Sequence, residues 1–233
     1  MPPKILVISG PTASGKTRLA VELALRHGGE VVSADSMQVY RRMDIGTAKP
    51  TPEEMRGIPH HMLDVADPEE DFSVARYVEL AAPCVDDILA RGKLPIVAGG
   101  TGLYLDSLLS GRTFAPFSPD GGLRARLEAR FDALGGEAML EELSRVDPEA
   151  AARLHPNDRK RIVRALEVFQ QTGKTISQHN RETRALPLRY DALTLSLAFQ
   201  RREDMWARID RRVDRMMADG LVEEVRALLS SGI

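Results

Sequence analysis

Gly10-Pro11-Thr12-Ala13-Ser14-Gly15-Lys16-Thr17 fits G-x-x-x-x-G-K-[ST] at every fixed position, a pattern whose residue types can wrap a phosphate chain. Glycine lets successive backbone N–H groups converge on phosphate oxygens, Lys16 neutralises those oxygens, and the Thr17 hydroxyl can ligate Mg²⁺. All eight residues are therefore candidate phosphate-binding positions, with Thr17 the candidate metal ligand. The loop calls for a pyrophosphate-bearing ligand without saying which one. In phosphate-loop NTPases an acid at the end of a hydrophobic strand usually completes the Mg²⁺ site. Here the strand expected at 94–98 runs into Gly99-Gly100-Thr101 and supplies no carboxylate, which weakens an ATPase reading.

These residues need a scaffold, and the hydrophobic pattern describes one. Ile5 to Ser9 is a short strand-like run ending at Gly10, and Thr17 to Arg26 has apolar residues at helical spacing. Glu30 to Ala34 reads as a second strand running into Asp35-Ser36, and Leu94 to Ala98 as a third. Between them Ser73 to Ala90 is helical, with Val74, Tyr77, Val78, Ala81, Val85 and Ile88 on one face. The alternation predicts an α/β fold: a doubly wound parallel sheet like that of P-loop NTPases, with ligands gathered beyond the strands' carboxyl ends.

From about Gly111 helical segments follow one another. Leu123–Leu134 and Gly136–Val146 are two, Asp147-Pro148 opens a third, and Asn157 is expected to cap a fourth closed by Gly173. Tyr190 to Phe199 then reads as a strand rejoining the sheet, followed by a helix from about Arg202 to Ala218 and one more. The predicted organisation is a P-loop core of residues 1–111 and 188–233, interrupted by a helical insertion at 112–187.

With 43% hydrophobic and 28% charged residues among 233, the chain has the composition of a globular protein able to bury its own core. No signal peptide or apolar span is evident, so a cytoplasmic protein without membrane association is expected. The single cysteine, Cys84, lies in an apolar context and is expected to be buried and inert. The net charge of −2 conceals an acidic stretch from Asp35 to Asp87 and a basic one over 153–189, which suits a polyanion. His60-His61 lacks metal-ligand spacing and reads as structural, and Trp206 as packing.

Beyond the phosphate loop, an ordered set of segments runs along nearly the whole chain. Asp35-Ser36-Met37-Gln38-Val39-Tyr40, Ile45-Gly46-Thr47-Ala48-Lys49-Pro50, Pro59-His60-His61 and Gly99-Gly100-Thr101-Gly102-Leu103-Tyr104 come first. Asn157-Asp158, Arg161-Ile162, Arg164-Ala165-Leu166-Glu167, Arg208-Ile209 and Arg212-Val213 follow. With this set the sequence resembles the tRNA dimethylallyltransferase (isopentenyl-adenosine tRNA synthase) family.

The resemblance implies transfer of a dimethylallyl group from dimethylallyl pyrophosphate, with Mg²⁺, to N6 of the adenosine 3′ of the anticodon. Asp35 matches the family's catalytic base; Lys16 and Arg208 would stabilise the leaving diphosphate as further catalytic groups. Contacts to the tRNA anticodon stem-loop are expected from Asp35, Ser36, Met37, Gln38, Thr101, Arg124, Arg159, Lys160, Arg161, Ile162 and Val163. The helical insertion is the expected tRNA-binding part. A monomer with no obligate protein partner is expected, and family members continue past residue 233, so a shortened form is expected. Two rival readings are a nucleotide or small-molecule kinase using ATP, and a nucleotide-gated RNA-binding module without chemistry.

Overall fold

A computed structural model describes residues 2–111 and 122–233. They divide into two compact units: Met1–Gly111 with Leu188–Ile233, and Arg112–Pro187.

In the first unit the order is β1 (Lys4–Ser9), α1 (Lys16–His27), β2 (Gly29–Ser33), α2 (Pro52–Met55), β3 (His60–His61), α3 (Val74–Ala90), β4 (Leu94–Ala98) and α4 (Gly102–Leu109). After the described helices of the second unit, α5 (Gly122–Val146), α6 (Pro148–Ala151), α7 (Arg159–Thr172) and α8 (Ile176–Arg184), come β5 (Asp191–Ser196), α9 (Arg202–Ala218) and α10 (Leu221–Ser230). The five strands form one parallel sheet in the order β3-β2-β4-β1-β5. β1, β2 and β4 are almost wholly buried, as strands with aliphatic centres should be when helices cover both faces of a sheet. Ala20 and Ala24 of α1 pack on Leu6, Ile8, Val31 and Ile96, while α3 buries Tyr77, Val78, Ala81, Val85 and Ile88. With each strand pointing the same way, the segments after β1, β2 and β4 emerge at one edge, which is where ligands collect in open α/β sheets.

Four details depart from the pattern read in the sequence. α2, β3 and α4 are additional elements; α2 carries a capping box from Thr51 and Glu54 that the S/T-x-x-E spacing signals. The returning strand is shorter than 190–199: Tyr190 stands before it, its hydroxyl donating to Asp86 Oδ1 at 2.8 Å. Trp206 is half exposed, with the Arg202 guanidinium 5.3 Å from its ring, so it does not pack inside as expected. Cys84 is half-buried rather than buried; its thiol donates to Leu80 O and burial pushes its pKa up, which keeps it unreactive. Among the described residues no helix is long and apolar enough to cross a membrane.

His60 and His61 are both hydrogen-bonded within the fold. His60 Nδ1 meets Ile58 O at 2.8 Å, and His61 Nε2 meets Glu30 Oε2 at 2.8 Å. Glu30 is 2% exposed yet also accepts from Arg91 and from Lys93 at 2.7 Å. The Arg91 guanidinium, ahead of the opposing effect of burial, holds its carboxyl far below the usual carboxylate range. A depressed pKa contributes stability above the unfolded value of 4.5, and that stability is lost as pH falls below it toward the folded value. Glu30→Gln should therefore lower unfolding free energy by about 2–4 kcal/mol at neutral pH, with less difference from the parent at pH 3, measurable by urea denaturation at the two pH values.

The second unit consists of α5 (Gly122–Val146), α6 (Pro148–Ala151), α7 (Arg159–Thr172) and α8 (Ile176–Arg184). α5 breaks at Gly135, where φ is 81° and ψ 164°, so the two helices expected on either side of that residue are present. Glycine is required next to the break: a β-carbon on Gly136 would lie 2.0 Å from Pro156 O. Asp147 caps α6, accepting from Ala150 N, and its other oxygen accepts from Ser177 N at 3.0 Å. The N-cap of α7 is Asp158, not Asn157 as expected; the Asp158 carboxylate turns back to accept from His155 N instead of capping the helix. Leu127, Met139, Leu143, Ile162 and Leu166 form this unit's core.

Candidate active site

The segment from Gly10 to Thr17 joins β1 to α1 in a shape that its residue types dictate. Gly10 has φ 142°, and a β-carbon there would stand 2.6 Å from Leu197 O, so only glycine fits. Ala13 (φ 61°) and Gly15 (φ 90°) are both left-handed, curling the chain so that it enters α1 at a residue without a side chain. α1 consequently has no side-chain cap, which leaves its first-turn N–H groups and their partial positive charge for an anion. Among the described residues Ser14 Oγ is buried with no hydrogen-bond partner, a polar atom inside the same curl whose need a phosphate oxygen would meet.

Lys16 Nζ bridges Gly10 O at 3.0 Å and Pro11 O at 2.7 Å. Burial lowers its pKa, Asp35 opposes that shift, and Arg212 adds to it. The ammonium thus lies within electrostatic reach of a carboxylate and a guanidinium.

Asp35 follows β2. Its Oδ1 accepts from Met37 N at 2.9 Å and Gln38 N at 3.3 Å, a turn that holds the carboxylate while leaving Oδ2 uncommitted among the described residues. The segment after β4 lies against this turn. A β-carbon on Gly99 would fall 2.1 Å from Ala34 O, Thr101 N donates to Ala34 O, and Thr101 Oγ1 accepts from Ser36 N at 3.1 Å. On its other side, a β-carbon on Gly100 would be 3.9 Å from Lys16 Nζ. The 99–101 segment therefore bonds the Asp35 turn and lies beside the lysine cradle, bringing Lys16, Asp35, Ser36 and Thr101 near one another. Met37 is exposed beside them. Gln38 is used differently from the expectation that it grips a base: its amide donates to Thr47 O and Ala48 O, and its oxygen accepts from Ser33. Its polar atoms fix the chain, and a base would have to displace those bonds.

A cleft of about 840 Å³ opens beside the cradle, lined by Lys16, Thr17 and Arg18 and by Arg208, Arg211, Arg212 and Arg215 of α9. Positions 208, 211, 212 and 215 fall at i, i+3, i+4 and i+7 and so share a helix face. Arg208, the expected cation, stands over the Phe199 ring at 5.4 Å. Arg212 reaches further in, donating to Thr47 O at 3.4 Å. Sequence reasoning assigned no role to Arg211, Arg212 or Arg215, although the i, i+3, i+4, i+7 spacing marks them.

In the helical unit the basic residues stand at the start of α7. Lys160 and Arg161 are exposed; Arg161 lies 3.9 Å from Asp158. Arg159 pairs with Asp132 at 2.9 Å and lies over Phe131. Arg124 and Arg164 both donate to Glu167, itself buried, so Arg124 anchors α5 to α7. Ile162 and Val163 do not fit a contact with nucleic acid through their side chains: at 0% and 2% exposure they belong to the core, because an amphipathic helix that offers basic residues outward must turn its aliphatic ones inward.

A curled glycine loop with its lysine, at the carboxyl edge of a parallel sheet, beside a carboxylate and a cationic cleft, defines a P-loop α/β phosphate-binding protein equipped for transfer chemistry. A family model described as IPP transferase matches residues 38–233, and one described as isopentenyl transferase matches residues 3–70. The tRNA dimethylallyltransferase 1 of Pelobacter propionicus is 53% identical over 230 residues, spanning 99% of this chain and 74% of the relative. The tRNA dimethylallyltransferase of Geobacter sulfurreducens is 52% identical, spanning 98% and 73%. Among solved structures, the tRNA delta(2)-isopentenylpyrophosphate transferase of Staphylococcus epidermidis is 43% identical with a TM-score of 0.65, covering 99% of this chain and 74% of that one. A eukaryotic dimethylallyltransferase caught acting on tRNA is 34% identical with a TM-score of 0.84, covering 98% and 56%. The chain belongs to the tRNA dimethylallyltransferase family, and is thereby a prenyltransferase of tRNA modification.

Proposed function

We propose that this chain binds dimethylallyl pyrophosphate in the cleft and the anticodon stem-loop of tRNA beside it, and joins the dimethylallyl carbon to N6 of the adenosine 3′ of the anticodon. One observation carries this reading: the 99–101 segment is hydrogen-bonded to the Asp35 turn and lies beside the Lys16 cradle, so a diphosphate on the cradle would lie next to a proton acceptor on the turn. The N6 lone pair forms a bond to C1 of the prenyl group as the C1–O bond breaks, and the electron pair leaves with pyrophosphate. The N6 proton passes to the Asp35 carboxylate.

An exocyclic adenine amine is a weak nucleophile, so a placed base matters, and charge accumulating on the leaving oxygens calls for preorganised cations. Lys16, the open amides of α1 and Arg208 answer that need, while Arg212 would bind the diphosphate in ground and transition states alike. The Thr17 hydroxyl fits Mg²⁺ as one ligand of several: among the described residues no cluster of three His, Cys, Asp or Glu could hold a metal, and Mg²⁺ in such sites commonly takes substrate phosphates and water for the remainder. Bound there, it would neutralise leaving-group charge. The target base must leave its stack, at a cost of a few kcal/mol that Ser36, Met37 and Thr101 help offset.

In the helical unit, Arg159, Lys160 and Arg161 would hold stem-loop phosphates, positioning without reading sequence. Replacing the three together by alanine should weaken stem-loop binding and flatten its dependence on salt, by roughly 0.7 to 0.9 in log–log slope for each phosphate no longer neutralised. An unchanged slope in a fluorescence-anisotropy titration would leave these residues as solvated surface. The reaction itself is tested by supplying Mg²⁺ and undermodified tRNA with radiolabelled dimethylallyl pyrophosphate, and in parallel ATP labelled at its terminal phosphate. Label from the first should enter tRNA. Movement of the ATP label to a small acceptor instead would establish a kinase.

A further inference from the structure

In this chain Asp44 N, Ile45 N and Gly46 N all point at one carboxylate, that of Glu224 on α10. Oε2 accepts from Asp44 N and Ile45 N, each at 2.7 Å, and Oε1 from Gly46 N at 2.9 Å. Three successive amides converging on a point make an anion-binding concavity, here filled from within the protein. The fit is close: a β-carbon on Gly46 would approach Leu221 Cδ1 to 3.2 Å and Glu224 Oε1 to 3.4 Å.

The segment so held is the one that meets both halves of the candidate site. Thr47 O accepts from Gln38 Nε2 at 3.2 Å and from Arg212 Nη2 at 3.4 Å. Gln38 belongs to the turn that Asp35 closes, and Arg212 lines the cleft. Two residues on, Lys49 is pinned to Asp44, to Asp64 at 2.6 Å and to Tyr40 O at 2.9 Å. One backbone carbonyl thus orients a cation for the diphosphate and a side chain for the acceptor turn, and its position depends on what fixes residues 44–46.

We propose that Glu224 is a positioning residue for the transfer reaction: by filling the amide concavity of Asp44–Gly46 it sets Thr47, and through Thr47 the guanidinium of Arg212 on the diphosphate side of the site. This rests on the transfer reading above. A carboxylate suits the task because its bonds to N–H donors are charge-assisted, about twice as strong as neutral ones. Glutamine keeps the shape but removes the charge, and can turn its own N–H₂ toward N–H groups.

The test is steady-state transfer from dimethylallyl pyrophosphate to an anticodon stem-loop by wild type, Glu224→Gln, Arg212→Ala and the double variant. Glu224→Gln should raise the donor KM about tenfold with kcat within about threefold. In the Arg212→Ala background it should change donor KM less than about twofold, since both substitutions act on one interaction. Amide hydrogen exchange should become faster at residues 44–46 in Glu224→Gln. If the Gln variant does not fold, Glu224→Asp carries the test, with charge kept, reach shortened and donor KM raised. An unchanged donor KM, a loss confined to kcat, or multiplying effects in the double variant would overturn the proposal. Failure of the wild type to prenylate the stem-loop would count instead against the transfer reading, and the exchange experiment would still decide whether Glu224 holds the amides.

Discussion

Asp35→Asn is expected to lower kcat by roughly 10²–10⁴-fold, the range a positioned general base supplies, while the KM for dimethylallyl pyrophosphate stays within about threefold. Asparagine is the informative replacement because the carboxylate has two tasks. Oδ1 closes the turn by accepting from Met37 N and Gln38 N, and an amide oxygen can do the same. What asparagine lacks is the capacity to take a proton. Asp35→Ala, by contrast, removes both functions and should also weaken stem-loop binding, since Ser36 and Met37 lose their anchor. Retained turnover with reduced donor affinity in the asparagine variant would exclude a role for Asp35 on the acceptor.

The second large effect is expected at Lys16. Lys16→Met removes the cation that faces developing charge on the leaving diphosphate, and loss of one such group typically costs about 10²–10³-fold in kcat. Donor KM should rise as well, because the same charge binds the ground state. Burial lowers the Lys16 pKa from its ordinary 10.5, so the protonated form is lost at lower pH than for a solvated lysine. The alkaline limb of kcat/KM for the donor, which reports the free enzyme, should therefore fall below pH 10.5. Bound diphosphate favours the ammonium, so the limb in kcat should move to higher pH. Identical limbs in the two profiles would place the titrating group elsewhere.

The parts of this molecule that the sequence exposes are those where local chemistry decides. The glycine loop has a fixed spacing because its φ angles and close approaches admit few residues, and β1, β2 and β4 are visible because each carries a short aliphatic run at its buried centre. Gly135 and Gly173 mark helix ends for the same local reason. Other features depend on distant partners. Gln38 reads as a base-gripping amide until Thr47 O and Ala48 O are seen to occupy it. Glu224 looks like any helix-surface acid until the amides of 44–46, far away in sequence, close around it. Ile162 and Val163 fall within a basic stretch, and only the packing of α7 on α5 shows that they face inward. Arg212 and Arg215 were legible in principle, since their spacing from Arg208 places them on one face, but nothing local says that this face turns toward a phosphate cradle.

Lys16 and Asp35 are proposed to serve one reaction, diphosphate release from an allylic carbon coupled to deprotonation of a nucleobase amine. It is tested most directly by nucleoside mass spectrometry of an anticodon stem-loop incubated with the protein, Mg²⁺ and dimethylallyl pyrophosphate. The adenosine 3′ of the anticodon should gain one C₅H₈ unit on its exocyclic nitrogen, with one pyrophosphate released per modified loop. Unmodified adenosine alongside donor consumption, or prenylation that persists undiminished in Asp35→Asn, would contradict it.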